Sequence, residues 1–162
     1  MKTDFVQRAS AEAFALLKAR GEKVSFAESL TGGMIAAAMI ENAGASNVID
    51  ESYVTYASAS KVRILGVNQD TVDIVGVVSA RCASEMAAGV RRISGAGWGV
   101  SATGLAGPDG GTEETPVGTV FIGVAGARGV QAYECHFEGD RDAVRSQAVA
   151  RAFELLKLEM EK

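Results

Sequence analysis

The apolar positions along the chain repeat with two periods, near 3.6 and near 2, and the changes of period mark out the elements. Phe5, Ala9, Ala13, Leu16 and Leu17 form one helical stripe over residues 4–20, and Gly21 is its stop signal. Residues 24–27 make a short apolar strand. A second helical pattern covers residues 31–42, with Met34, Ile35, Ala38 and Met39 in phase and Gly44 closing it. A polar connector leads to Tyr53-Val54-Thr55-Tyr56, which reads as a second strand, and residues 57–65 predict a short helix carrying Lys61. Residues 69–78 fit neither period. Residues 80–93 are helical, with Cys82, Met86, Val90 and Ile93 on one side, which places Cys82 in the core. Residues 98–103 predict a buried strand running into a glycine-rich loop over 104–116. Residues 117–124 and 130–137 predict a hairpin around Gly126-Ala127-Arg128-Gly129. Asp140 caps a last helix whose inward face is Val144, Ala148, Ala152, Leu155 and Leu156.

Alternating helices and strands that end in a hairpin predict an α/β fold: a single layered α/β/α domain over residues 1–162, with a mixed sheet of about five strands. The strand order does not follow from the pattern. A chain of 162 residues is long enough for one sizeable core. It has no apolar run of ~20 residues to span a membrane and no signal-peptide pattern at its N-terminus, so no membrane partner is expected. The formal net charge of −4 argues against nucleic acid, which needs a basic face. Cys82 and Cys135 form no metal-binding spacing and are too few for a disulfide framework, which fits a reducing cytoplasm.

Candidate chemistry concentrates in Val24-Ser25-Phe26-Ala27-Glu28-Ser29-Leu30-Thr31-Gly32-Gly33. There a strand ends, the chain turns, and a helix begins. This places Ser29 near the free N–H groups of a helix N-terminus, and glycines allow close approach of a ligand. The plain structural alternative is a capped turn with Thr31 as N-cap. The single histidine, His136, shares the polar face of the last strand with Glu134 and Glu138. A solvated histidine there leaves no Ser-His-Asp or Cys-His arrangement. No HExxH or CxxC pattern occurs, so no metal or other cofactor is expected; the acidic loop residues Asp109, Glu113 and Glu114 read as solvated, with a hard cation on them as the alternative. What remains is a serine activated by a neutral lysine. Its pKa must fall from ~10.4 towards ~7, at a cost of roughly 4–5 kcal/mol.

Lys61, flanked by Val62, Ile64 and Leu65, is the candidate base. Two serines compete for it: Ser29, and Ser58 in the Ser58-Ala59-Ser60-Lys61 pattern, one helical turn away. The loop Thr103-Gly104-Leu105-Ala106-Gly107-Pro108-Asp109-Gly110-Gly111 offers backbone N–H groups to an anion. Arg141 and Arg145 stand one turn apart, suited to phosphate or carboxylate, or to pairing with nearby acids.

Taken together, Ala27-Glu28-Ser29-Leu30-Thr31-Gly32-Gly33, Val54-Thr55-Tyr56 with Lys61, Thr103 to Gly111 with Glu113-Glu114 and Pro116-Val117-Gly118-Thr119, and Gly139-Asp140-Arg141-Asp142 with Arg145 resemble the C-terminal domain of competence/damage-inducible protein A, CinA. Free-standing forms of that family are nicotinamide mononucleotide amidases. The resemblance implies deamidation of a small-molecule nucleotide, nicotinamide mononucleotide, to nicotinate mononucleotide and ammonia, without a metal or cofactor. It implies Ser29 as nucleophile, Lys61 as general base and Tyr56 as hydroxyl partner in proton transfer. Thr31, Gly32, Gly33, Thr103 and Gly104 would line the ligand site, with Arg141 and Arg145 near the phosphate or a subunit contact. It also implies a homodimer or higher homo-oligomer. Leu30 replaces the family's usual cysteine, Ala57-Ser58 its usual Ser-Asn, and Ala80 a frequent glutamate. The competing reading is a nucleotide-binding regulatory or interaction module that keeps the pocket without turnover.

Overall fold

A computed structural model describes residues 3–162. Its elements, in chain order, begin with α1 (Asp4–Arg20), β1 (Val24–Glu28) and α2 (Met34–Ile40). A short 3₁₀ turn (Ala45–Asn47) leads to β2 (Tyr53–Val54) and α3 (Ser58–Leu65). A π-helical turn (Thr71–Val75) precedes α4 (Ala80–Ser94), and β3 (Trp98–Gly104) follows. The hairpin β4 (Thr119–Gly126) and β5 (Gly129–His136) and the helix α5 (Arg141–Met160) complete the fold.

The five strands form one mixed sheet in the order β2-β1-β3-β4-β5. β1 runs parallel to both β2 and β3, while β4 and β5 are antiparallel additions. The predicted α/β class, the five strands and the mixed sheet are therefore all present. The second strand is shorter than its pattern suggested, because Thr55 and Tyr56 leave the sheet. Residues 69–78, which fit neither period, contain the π-helical turn.

Strand alternation divides the core between the two faces of the sheet. Val24 and Phe26 of β1, Val100 and Ala102 of β3, and Val120, Ile122 and Val124 of β4 pack against α1, α2 and α5. Phe26 meets Phe153 of α5 edge to face, with centroids 5.9 Å apart, a favoured aromatic geometry. The opposite face belongs to α4, where Cys82, Met86 and Val90 cluster with Ala27, Leu65 and Val67. Cys82 is thus a core residue, as its helical phase predicts. α4 lies unusually close to the sheet: a Cβ on Gly123 would stand 2.4 Å from the Ala83 carbonyl oxygen. Ser101 fills the contact polarly, donating to the Ala83 carbonyl at 2.6 Å. No helix among the described residues is long and apolar enough to cross a membrane.

Candidate active site

Chain order places β1 between β2 and β3, so the chain leaves β1 to one side and later returns to the other. Ligands of open α/β sheets bind at such a switch point, beyond the carboxyl ends of the strands. There the structure has a cavity of about 260 Å³. Ser29 follows β1, Thr103 and Gly104 end β3, and Lys61 and Tyr56 reach in from the β2–α3 side; all five line the cavity, with Arg141 at its mouth.

The turn after β1 is set by Glu28. Its fully buried carboxylate accepts hydrogen bonds from the N–H groups of Gly33 (3.2 Å), Ile35 (2.9 Å) and Ala36 (3.1 Å). The helix cap is Gly33, at φ +100°, a conformation glycine adopts without strain. Thr31 is therefore not the N-cap; its hydroxyl is buried without a partner among the described residues. The N–H groups at the start of α2 are likewise already claimed by Glu28, rather than open beside Ser29. Ser29 itself is pinned through its main chain: its N–H donates to the Ala102 carbonyl (3.0 Å), and its carbonyl accepts from Gly32 (3.1 Å).

Lys61, in the first turn of α3, is 1% exposed. Its Nζ lies 3.0 Å from Ser29 Oγ, 2.6 Å from the Thr55 carbonyl oxygen and 3.2 Å from the Tyr56 carbonyl oxygen. Burial pushes its pKa below the ordinary lysine value, against a smaller opposing effect of the Cys82 thiol. The thiol is itself pushed up to about 11 by burial, and so stays neutral beside the amine at pH 7. A neutral amine has two N–H groups and one lone pair. In the structure the amine donates to both carbonyls and to Ser29 Oγ; once deprotonated it would keep its two N–H groups on the carbonyls and turn its lone pair to the Ser29 hydroxyl. That is the arrangement a general base needs.

The remaining candidates divide into two groups. Tyr56 gives its carbonyl to Lys61, while its hydroxyl, on a side chain exposed at the mouth, accepts from Arg141 at 3.4 Å. Arg141 also donates to the Gly107 carbonyl at 2.7 Å, tying the glycine loop to the cavity rim. The Thr103 hydroxyl donates to the Val77 carbonyl at 2.8 Å. Thr31, Gly32, Gly33 and Arg145 stand behind the turn, off the cavity wall. Arg145 donates to the carbonyls of Leu30 (2.8 Å) and Thr31 (3.4 Å), bracing the turn from α5.

Ser58, the competing serine, is exposed at the start of α3, and the Lys61 amine makes its bonds elsewhere. Ala57 beside it is exposed too, so the departure from the family's Ser-Asn leaves the Lys61 contacts in place. His136 is exposed and lies 3.2 Å from Glu134. Pattern reading missed Leu30, Val77 and Val78 on the cavity wall; Asp109, part of the predicted glycine loop, lies on that wall too. The apolar pair Val77-Val78, just before the Ser79 cap of α4, was the available signal. The carbonyls of Thr55 and Tyr56 left none, since main-chain atoms carry no residue identity.

The model of the CinA C-terminal domain matches residues 6–160. The chain belongs to the CinA C-terminal domain family. It is 50% identical over 144 residues to a CinA-like protein of Anaeromyxobacter sp. (strain K), a match covering 89% of this chain and 35% of that protein. The chain thus spans about a third of the length of the CinA-like proteins that it matches. Shorter relatives are matched over most of both chains. The nicotinamide-nucleotide amidohydrolase PncC of Enterobacter agglomerans is 49% identical, covering 86% of this chain and 85% of that one. The protein of the same name from Escherichia coli (strain K12) is 46% identical, with 86% of each covered. Among solved structures, the competence/damage inducible protein CihA from Agrobacterium tumefaciens superposes with a TM-score of 0.95 at 35% identity, covering 100% and 99% of the two chains. In this CinA-type fold, both partners of the Ser29–Lys61 contact and the β3 end with Thr103 and Gly104 converge on the one switch-point cavity.

Proposed function

We propose that this chain is an amidohydrolase that converts nicotinamide mononucleotide to nicotinate mononucleotide and ammonia through an acyl-enzyme on Ser29. The observation that carries the reading is the buried Lys61 amine 3.0 Å from Ser29 Oγ, oriented by two carbonyls. The names of the amidohydrolase relatives supply the substrate class.

Ser29 Oγ attacks the carboxamide carbon as Lys61 accepts the hydroxyl proton. The oxyanion is met by main-chain N–H groups; that of Leu30, on the cavity wall, has no acceptor among the described residues. Each such donor is worth roughly 3 kcal/mol. Collapse breaks the C–N bond as the Lys61 ammonium returns its proton to the departing amide nitrogen, which leaves as ammonia. Water then attacks the acyl carbon with Lys61 again as base, releasing the nicotinate product and restoring Ser29.

Tyr56 and Arg141, hydrogen-bonded at the rim, face the phosphate end; a part for Tyr56 in proton transfer requires its hydroxyl to turn from Arg141 towards Lys61. Thr103 and Gly104 form the β3 wall of the site. Thr31, Gly32, Gly33 and Arg145 act on the substrate through the turn they shape. Two free cysteines agree with action in the cytoplasm, and the exposed Ile40, Val54 and Ile74 agree with a homodimer or higher homo-oligomer.

The test is ammonia release from nicotinamide mononucleotide by the purified protein and by Ser29→Ala. Turnover abolished in the variant supports the reading. Full turnover in Ser29→Ala sinks the nucleophile assignment, and binding of the nucleotide without ammonia release by the unaltered protein identifies a binding module instead.

A further inference from the structure

A carboxylate removed from water is costly unless hydrogen bonds replace the solvent. Glu28 is 0% exposed and stands one residue before Ser29. Resting on the Ser29–Lys61 reading, we propose that Glu28 is a positioning residue for the amidase reaction. It fixes the turn 29–33, and with it the place of Ser29 Oγ and the choice of N–H groups left open to the oxyanion.

Both carboxylate oxygens are engaged. One takes the N–H groups of Gly33 and Ile35, the other that of Ala36. A serine or threonine at the N-cap would satisfy one or two such groups; a glutamate reaching forward from the strand satisfies three and sets negative charge against the positive end of the helix. The Gly32 N–H goes to the Ser29 carbonyl and the Met34 N–H to Thr31. Over residues 29–36, only the N–H groups of Leu30 and Thr31 are then left without an acceptor among the described residues, and Leu30, unlike Thr31, lines the cavity.

The main chain of Glu28 completes the arrangement. Its carbonyl accepts from the Thr55 N–H at 2.9 Å, and the Thr55 carbonyl holds Lys61. One residue therefore ties the nucleophile turn through its side chain and the base through its backbone. Loss of the carboxylate leaves the backbone tie intact and loosens only the Ser29 side of the pair.

The test compares Glu28→Gln with the unaltered protein in steady-state kinetics on nicotinamide mononucleotide. It is joined by labelling of Ser29 with a fluorophosphonate, read by mass spectrometry. Glutamine keeps the volume but turns an NH₂ group towards an N–H donor. The expected result is a kcat lower by ~10-fold or more, since small misplacements of reacting groups cost up to ~100-fold. KM stays within about twofold, the pH midpoint is unchanged, and Ser29 labelling slows by the same factor as kcat. If Glu28→Gln fails to fold, Glu28→Asp, too short to span the same three donors, is expected to show the same split. A kcat within about twofold of the unaltered protein, with only thermal stability lowered, overturns the proposal, as does a loss confined to KM. Ammonia release by an unaltered protein that is never labelled at Ser29 overturns the underlying assignment instead, and the two failures are told apart by that control.

Discussion

Glu28 and Lys61 are both fully buried, on either side of Ser29, yet their surroundings are opposite in kind. Glu28 meets only donors, three main-chain N–H groups at the positive end of α2. Lys61 meets two carbonyls and a hydroxyl, with no carboxylate paired to it, and burial depresses its pKa. The first environment suits a fixed carboxylate that holds the backbone still. The second suits an amine that can give up its proton and take another. Burial alone does not make a residue chemical; the hydrogen-bonding character of its neighbours decides whether it anchors or reacts.

The largest way to sharpen that contrast is to remove the reactive pair. Ser29→Ala and Lys61→Met are each expected to lower kcat/KM by about 10³-fold or more, and the double variant should be no worse than the singles, because the two act as a unit. Rate measurements with nicotinamide mononucleotide check this. Full additivity would separate the two residues.

The two arginines offer the next test. Arg141→Ala, at the rim, is expected to raise KM about tenfold, roughly 1.4 kcal/mol of binding, with little change in kcat. Arg145→Ala is expected to lower kcat instead, because its guanidinium holds the carbonyls of Leu30 and Thr31. The reverse pattern would exchange their roles.

The pH dependence follows from Lys61. Its folded pKa lies below the ordinary 10.5, so kcat/KM should rise with pH through one ionisation below that value. Stability carries the same sign. Between the folded and unfolded pKa values the unfolded chain binds the extra proton, so this residue's contribution to stability grows as pH rises across that window. Lys61→Met should therefore gain most over the unaltered protein on the acid side, with the advantage shrinking towards pH 10.5 in denaturation curves. The smallest effect belongs to Ser58→Ala: its exposed hydroxyl predicts activity within about twofold and stability within about 0.5 kcal/mol.

Much of the fold is legible along the chain. The helical stripe of α4, with Cys82 and Met86 in phase, matches the buried face that packs on the sheet, and Asp140 does cap α5, accepting from the Ala143 N–H. The start of α2 is less legible, since Thr31 is a good cap by type while the N-cap is Gly33 and the side chain that satisfies the helix N–H groups reaches forward from Glu28. Local propensity cannot register a side chain that satisfies helix N–H groups from the preceding strand. At the site, residue type flagged Ser29, Lys61 and Arg141, but gave no ground for choosing Ser29 over Ser58 without the family resemblance.

The periods, the α/β order, the glycines at the turns and the lack of a usable histidine can all be read along the chain, because each is written in local residue types and their spacing. Tertiary structure decided strand order, which serine the lysine faces, and which arginine braces the turn. Those depend on contacts between residues 32 and 115 positions apart, as Lys61 to Ser29 and Arg145 to Leu30 show, and on main-chain carbonyls that any residue would present alike.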